Sequence, residues 1–258
     1  MRTLLLSLGL VLVGCTDPSS PRLDTPADSL AFRVTESAGG LAAWDALPGL
    51  AFEWAVVRDS VEVVRTRHVW DKAGDRVRSE WPAGVDSVFV AVYRPSRFDA
   101  DAPEGEVALN GVALVGPEAA ERLTEANGRF VNDGYWLLAP LKVLDPGVRR
   151  AVEARDGLDQ LALSFDGVGL TPGDRYWIEV DEVSGAMTAW SFLLESGNEG
   201  QFDWIEPVTL DTPDGPLTLS RMKVSPDGGV ILTEPTPLLE IDEAEFTDLT
   251  PRLGRSAL

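Results

Sequence analysis

The chain of 258 residues holds one cysteine, Cys15, and one histidine, His68. A single cysteine excludes an intramolecular disulfide, a thiol redox pair and a cysteine-based zinc site, and a single histidine excludes a multi-histidine metal centre. Lysine is equally scarce: Lys72, Lys142 and Lys223 are the only three, and the rest of the positive charge is arginine, set against 42 carboxylates. The formal charge of −20 would repel phosphates, so no nucleic-acid partner is expected. Such an acid excess reads as a solvated face suited to concentrated salt, the alternative being a face for a cationic partner or calcium. No Gly-x-Ser-x-Gly elbow occurs, and any triad would have to use His68 as its base. His68 lies in strand alternation with Thr66 and Trp70, which points to a structural histidine. Acid pairs such as Asp203 with Glu206, or Asp181 with Glu182, sit at strand ends and turns, where carboxylates are common. No catalytic residue, metal ligand or cofactor is assigned.

What is present begins with a secretion signal over residues 1–14. Arg2 supplies the positive start, and Leu4 to Val13 supply an apolar run about ten residues long, too short to span a bilayer as a helix. Leu12-Val13-Gly14-Cys15 resembles the bacterial lipobox, which implies cleavage before Cys15 and a lipid anchor on its thiol. The alternative is an ordinary secretory peptide with an incidental cysteine. Thr16 stands where the resemblance would place an inner-membrane retention aspartate, so it implies the outer membrane. Residues 15–27, with Pro18, Pro21 and Pro26, read as an extended tether lifting a domain off the membrane.

The mature chain is long enough for one large β-rich domain, placed at residues 28–250, with 44% hydrophobic and 25% charged residues, as a packed core requires. Asp28 or Ser29 is the expected cap of a helical segment that reaches Leu47, interrupted at Gly39-Gly40. Alternation then predicts strands over Leu50–Val57, Val61–Trp70, Arg76–Trp81 and Ser87–Arg94, joined by short turns, with one more near Val107–Val115. Pro117 opens a helix to about Val131. A second meander follows: Leu158–Phe165, Asp174–Val180, Met187–Leu194, Phe202–Leu210, Leu217–Val224 and Val230–Glu234. The tail from Pro235 is expected to pack loosely or cross an edge.

Between the meanders lies an apolar stretch bounded by Asn132-Asp133-Gly134 and Asp145-Pro146-Gly147, with Pro140 inside it. Together with the preceding helix it forms a helical insert at about 117–145. The stretch reads as a short, proline-broken lid able to move as a unit. Its Trp136, Leu137, Leu138 and Leu141 face inward, and its Asp133, Lys142 and Asp145 stay near solvent. An ordinary core segment fits the same composition.

The fold expected is mainly β: a single strongly curved antiparallel sheet, an incomplete barrel of nine to eleven strands, with helices on its concave face. This element order resembles the LolA/LolB-like lipoprotein-carrier fold. So do the phrases Gly39-Gly40-Leu41-Ala42-Ala43-Trp44, Asp133-Gly134-Tyr135-Trp136-Leu137 and Trp177 to Phe192. The resemblance implies an apolar cavity between sheet and helices in an envelope lipoprotein, anchored to the membrane, that binds a lipid, an acyl chain or a lipoprotein; a monomer is favoured, with the oligomeric state left open. Eight tryptophans agree with an aromatic concave face, and the cavity lining is assigned to Trp54, Trp70, Tyr135, Trp136, Leu138, Trp177, Trp190 and Trp204. A filled core serving as an assembly partner, or an envelope hydrolase, are the alternatives.

Overall fold

The computed structural model describes residues 23–155, 157–166, 170–171 and 173–253. Cys15, the signal segment and most of the tether lie outside the described residues. The first meander runs through β1 (Gly49–Arg58), β2 (Val61–Asp71), β3 (Arg76–Gly84), β4 (Ser87–Tyr93), β5 (Gly105–Leu109) and β6 (Val112–Ala113). The second runs through β7 (Val148–Arg155), β8 (Leu158–Phe165), β9 (Arg175–Val180), β10 (Met187–Leu193), β11 (Glu199–Thr212), β12 (Gly215–Val224) and β13 (Val230–Leu238). All belong to one antiparallel sheet in the order β6-β5-β4-β3-β2-β1-β13-β12-β11-β10-β9-β8-β7. The meanders join where β1 pairs with β13, from Gly49 opposite Leu238 to Val57 opposite Val230. The outer strands β6 and β7 do not pair with each other, so the sheet stays open.

The thirteen strands of the described residues exceed the nine to eleven expected. Val112–Ala113 is a separate strand because Asn110 and Gly111, at φ 50° and 81°, fold a tight hairpin inside the segment read as one. The other addition, β7, escaped notice because its sequence VRRAVEAR carries four charges in eight residues. Charge is what an exposed edge needs to discourage further pairing.

This topology dictates the position of the central helix. One meander ends at one edge and the next begins at the other, so the connection must cross the sheet. Helix α3 (Gly116–Lys142) makes that crossing with 27 residues, about 40 Å at 1.5 Å per residue. It is unbroken, which corrects the reading of Asn132-Asp133-Gly134 as a turn and of the following residues as a hinged lid. Gly134 lies against Phe52, whose Cζ would be 3.9 Å from an added Cβ, and Pro140 falls in the last turn, where its carbonyl accepts from Thr35 Oγ1 at 2.9 Å. Val131 is followed by another eleven helical residues because the sheet below offers a continuous apolar bed, which outweighs local turn propensity.

Helix α1 (Pro26–Ser37) begins earlier than expected. Thr25, not Asp28 or Ser29, is the N-cap, and Asp28 completes a capping box with it. Arg150 holds the Asp28 carboxyl below its usual range, with help from Thr25. Helix α2 (Gly40–Ala46) follows at Gly39, whose φ of 108° and close approach to the Pro216 carbonyl leave no room for a side chain. All three helices cover one sheet face, where Leu50, Phe52, Leu161, Leu163, Ile178 and Trp190 are buried.

The opposite face carries the tail, which neither packs loosely nor crosses an edge. Helix α4 (Ala244–Thr247) and residues to Leu253 lie across β2 and β3. Arg78 and Glu80, both fully buried, are the reason: Arg78 donates to the carbonyls of Glu245, Asp248 and Thr250, and Glu80 accepts from the amides of Arg252 and Leu253. Arg67 bridges Glu80 and Glu245.

Candidate functional site

Two cavities flank α3 at the end of the sheet where β8 turns into β9, β10 into β11 and β12 into β13. The first, of about 330 Å³, lies between α3 and β8–β10. The second, of about 790 Å³, lies between α3 and the strands β1, β11 and β13. Both are lined by Asn132, Trp136 and Phe192, so Trp136 forms a partition within one open cleft. A third cavity of about 220 Å³ shares Val131, Tyr135 and Phe165 with the first and follows the helix to Lys142 and Asp145. These sizes fall within or just below the range for small-molecule sites.

The residues assigned to a cavity from sequence are placed as follows. Trp190, Tyr135 and Trp136 line the first cavity; Trp54 and Trp136 line the second; Trp70, Tyr135 and Leu138 line the third. Trp204 lines none of these and packs under the ammonium of Lys223, 4.7 Å from its ring centre. Trp177 points the other way. It sits opposite Ala162, one step out of phase with Ile178, and its Nε1 donates to Glu153 at 2.7 Å on the outer face. Period-two alternation fixes that side, and an amphipathic indole needing a polar partner fits it.

An aromatic wall makes the first and third cavities largely apolar, whereas the second is also lined by Arg58, Asp59, Glu199 and Asp227. Trp136 meets Trp190 edge-on at 4.6 Å and Phe202 at 4.9 Å, while Tyr176 lies 5.0 Å from Trp190 and 5.7 Å from Phe165. Burial pushes the Tyr135 phenol above its usual range, and it does the same to Tyr176, so both stay neutral. The indole nitrogens of Trp54, Trp190 and Trp204 and the hydroxyl of Tyr135 are buried without a partner among the described residues.

No family model and no curated protein matches the chain. Solved structures similar to it include a DUF1329 family protein from Desulfovibrio piger, at 10% identity over 84% of this chain and 94% of that one, with a TM-score of 0.42. A LolA superfamily protein from Nitrosomonas europaea has 12% identity over 84% and 97%, also at 0.42. A Vibrio parahaemolyticus domain named for outer membrane lipoprotein sorting has 10% identity over 86% and 97%, at 0.41. The chemistry of the site rests on its own geometry.

That geometry contains one arrangement sequence reading missed. Beneath α3, His68 Nε2 lies 2.9 Å from Asp133 Oδ2, and His68 Nδ1 lies 2.9 Å from Ser79 Oγ. Thr66 donates to the same carboxylate oxygen at 2.6 Å, and Asn132 donates to the other at 2.9 Å. Asp133 was expected near solvent; it is buried because these three donors replace water. The residue types are those of a serine–histidine–aspartate triad, but the ring nitrogens are swapped relative to one, Ser79 and His68 are 0% exposed, and neither lines any of the three cavities. The set therefore docks a helix. The register that brings Ser79 opposite His68 would have revealed one partner, whereas Asp133 comes from a distant helix and left no local signal.

Among the described residues no three histidine, cysteine or acidic side chains gather as a metal site, and no helix is long and apolar enough to cross a membrane.

Proposed function

We propose that the protein is a cell-envelope lipoprotein, anchored through Cys15 at the outer membrane, that binds a hydrophobic ligand such as a lipid, an acyl chain or a lipoprotein's acyl group. The observation that carries this is the aromatic cleft along α3, continuous through Trp136 and Tyr135 and open at one end of the sheet. An apolar cleft left open to water is costly to maintain, and an acyl chain would cover it. Native mass spectrometry of the protein purified from its membrane tests the reading: co-purified lipid is expected, and an empty protein that also fails to take up a neutral fluorescent acylglycerol overturns it. Fatty-acid labelling tests the anchor, since Cys15→Ala should carry no label.

A second reading, an assembly partner with a filled interior, is favoured by the inner face of α3, where Leu137, Leu138 and Leu141 are at most 2% exposed. A stable protein partner recovered by crosslinking, with no lipid present, would select it.

A further inference from the structure

The charge and aromatic content of the first cavity specify more than an apolar occupant. Tyr135, Trp136, Phe165, Tyr176, Trp190 and Phe192 contribute six aromatic rings to its lining. Among the described residues no lysine or arginine stands over any of these rings. Elsewhere in the molecule Trp44, Trp81, Phe89, Trp177, Trp204 and Phe246 each carry a cation on the ring face. Among the described residues no basic side chain lines the cavity either, and the one acid that does is Asp174.

Asp174 is buried, and its carboxylate accepts from Thr171 Oγ1, from the Tyr176 hydroxyl at 3.2 Å and from the Glu195 amide at 2.8 Å. All three donors are neutral, and no cation of the described residues pairs with it. The cavity therefore places aromatic rings beside a carboxylate that no cation of the described residues pairs with, and rings next to an unpaired carboxylate are the chemistry that holds alkylated ammonium groups. We propose that this cavity receives the alkylammonium head of a cationic or zwitterionic amphiphile, whose tail runs along α3 past Tyr135 into the third cavity. This rests on the cleft being a hydrophobic-ligand site and adds the charge of the head. An anionic head would meet Asp174 and the acid excess of the whole chain, with no basic partner in the lining.

Titration calorimetry with amphiphiles of one chain length, below their micelle concentrations, separates the cases: dodecyltrimethylammonium, monododecanoylglycerol and dodecanoate. The ammonium compound should bind about tenfold or more tighter than the neutral ester, a difference of ~1.4 kcal/mol, and dodecanoate should bind weakest. Asp174→Asn should remove most of the ammonium preference, read as the ratio of ammonium to ester affinity in the same variant. Phe165→Leu, which keeps an apolar wall but loses a ring, should do the same in part. High salt distinguishes the site from general attraction to an acidic protein, because a preference lodged in a buried carboxylate and rings survives screening. Choline chloride is the tail-less arm: binding as tight as the tailed compound would overturn the path along α3. Equal affinity for all three amphiphiles overturns the ammonium preference and leaves the hydrophobic-ligand reading standing. No binding of any overturns both.

Discussion

His68 on β2 and Asp133 on α3, 65 positions apart in sequence, meet at 2.9 Å in a pocket sealed from solvent. The Asp133 carboxyl faces one ring nitrogen and the Ser79 hydroxyl, at 2.9 Å, faces the other, so both imidazole nitrogens have a partner. This is the polar pin between helix and sheet, since the surrounding contacts of Phe52 and Phe130 are apolar. Replacing either partner strands the other in a low-dielectric interior. Asp133→Ala should lower the urea midpoint by an amount equivalent to about 3–5 kcal/mol if the pair is ionic, and about 1–3 if it is a neutral hydrogen bond. A double-mutant cycle with His68→Leu should show a smaller loss for the double variant than the sum of the two. Additive losses would mean that the pair does not couple.

The outer-face strap depends on Arg78 and Glu80 in the same way. Glu80 alone receives two tail amides and two arginines. Glu80→Ala leaves the buried Arg78 with only Glu245, at 3.5 Å, as counter-charge, and the amides of Arg252 and Leu253 lose their acceptor. The strap should become a protease target, and stability should fall by about 3–5 kcal/mol. Limited proteolysis that leaves the tail intact in the variant would place the anchor elsewhere.

Much of this architecture is legible in the sequence where period-two alternation runs cleanly between turn residues, as from Val61 to Trp70 or Leu217 to Val224. It fails where a global demand overrules a local signal. Asn132-Asp133-Gly134 has turn chemistry but sits mid-helix, because a chain leaving β6 must reach β7 and Asp133 finds two buried partners, Thr66 and His68, on the sheet below. The cleft was legible in outline, since Trp54, Trp136 and Trp190 do line it. Trp177 was misplaced because the alternation of β9 has two possible phases and composition alone does not choose between them.

Gly134 offers a gain of stability. Its backbone is helical, and an added Cβ would meet only Phe52 at 3.9 Å, an ordinary contact; at Gly128 it would meet nothing within 4 Å. Gly128→Ala and Gly134→Ala should each stabilise by roughly 0.5–1 kcal/mol, through the unfolded chain's lost freedom. A loss at 134 with a gain at 128 would show that the helix needs Gly134 for close approach to the sheet.

The lysines set the alkaline behaviour. Burial pulls Lys72 down to about 8, with Asp45 opposing, and burial alone pulls Lys223 well down. Between the folded and unfolded pKa values the unfolded chain holds more protons, so stability should rise as pH rises through that window and be smallest below it. For Lys72 the window runs from about 8 to the ordinary lysine value of 10.5. Lys223 donates to the Ser220 carbonyl and to Thr233 Oγ1 at 2.6 Å, with no carboxylate partner among the described residues. Lys223→Met should therefore be neutral or stabilising at neutral pH and should flatten the rise, as followed by thermal melts across pH; a large loss would make the amine an essential strut.

Trp136 distinguishes a cleft wall from a core. Its neighbour Leu137 is fully buried, and Leu137→Ala should cost about 2–5 kcal/mol by the large-to-small rule. Trp136 is only half-buried, with cavity space on both sides, so the removed volume joins voids that already exist. Trp136→Ala should then cost less than the roughly 3–5 kcal/mol of a core tryptophan, while merging the two cavities and shifting the affinity for a neutral acylglycerol. Stability from urea melts and affinity from calorimetry are read on the same two variants. If Trp136→Ala costs the full core amount and neither variant changes binding, the partition is core, and the cleft loses the residue that makes it continuous.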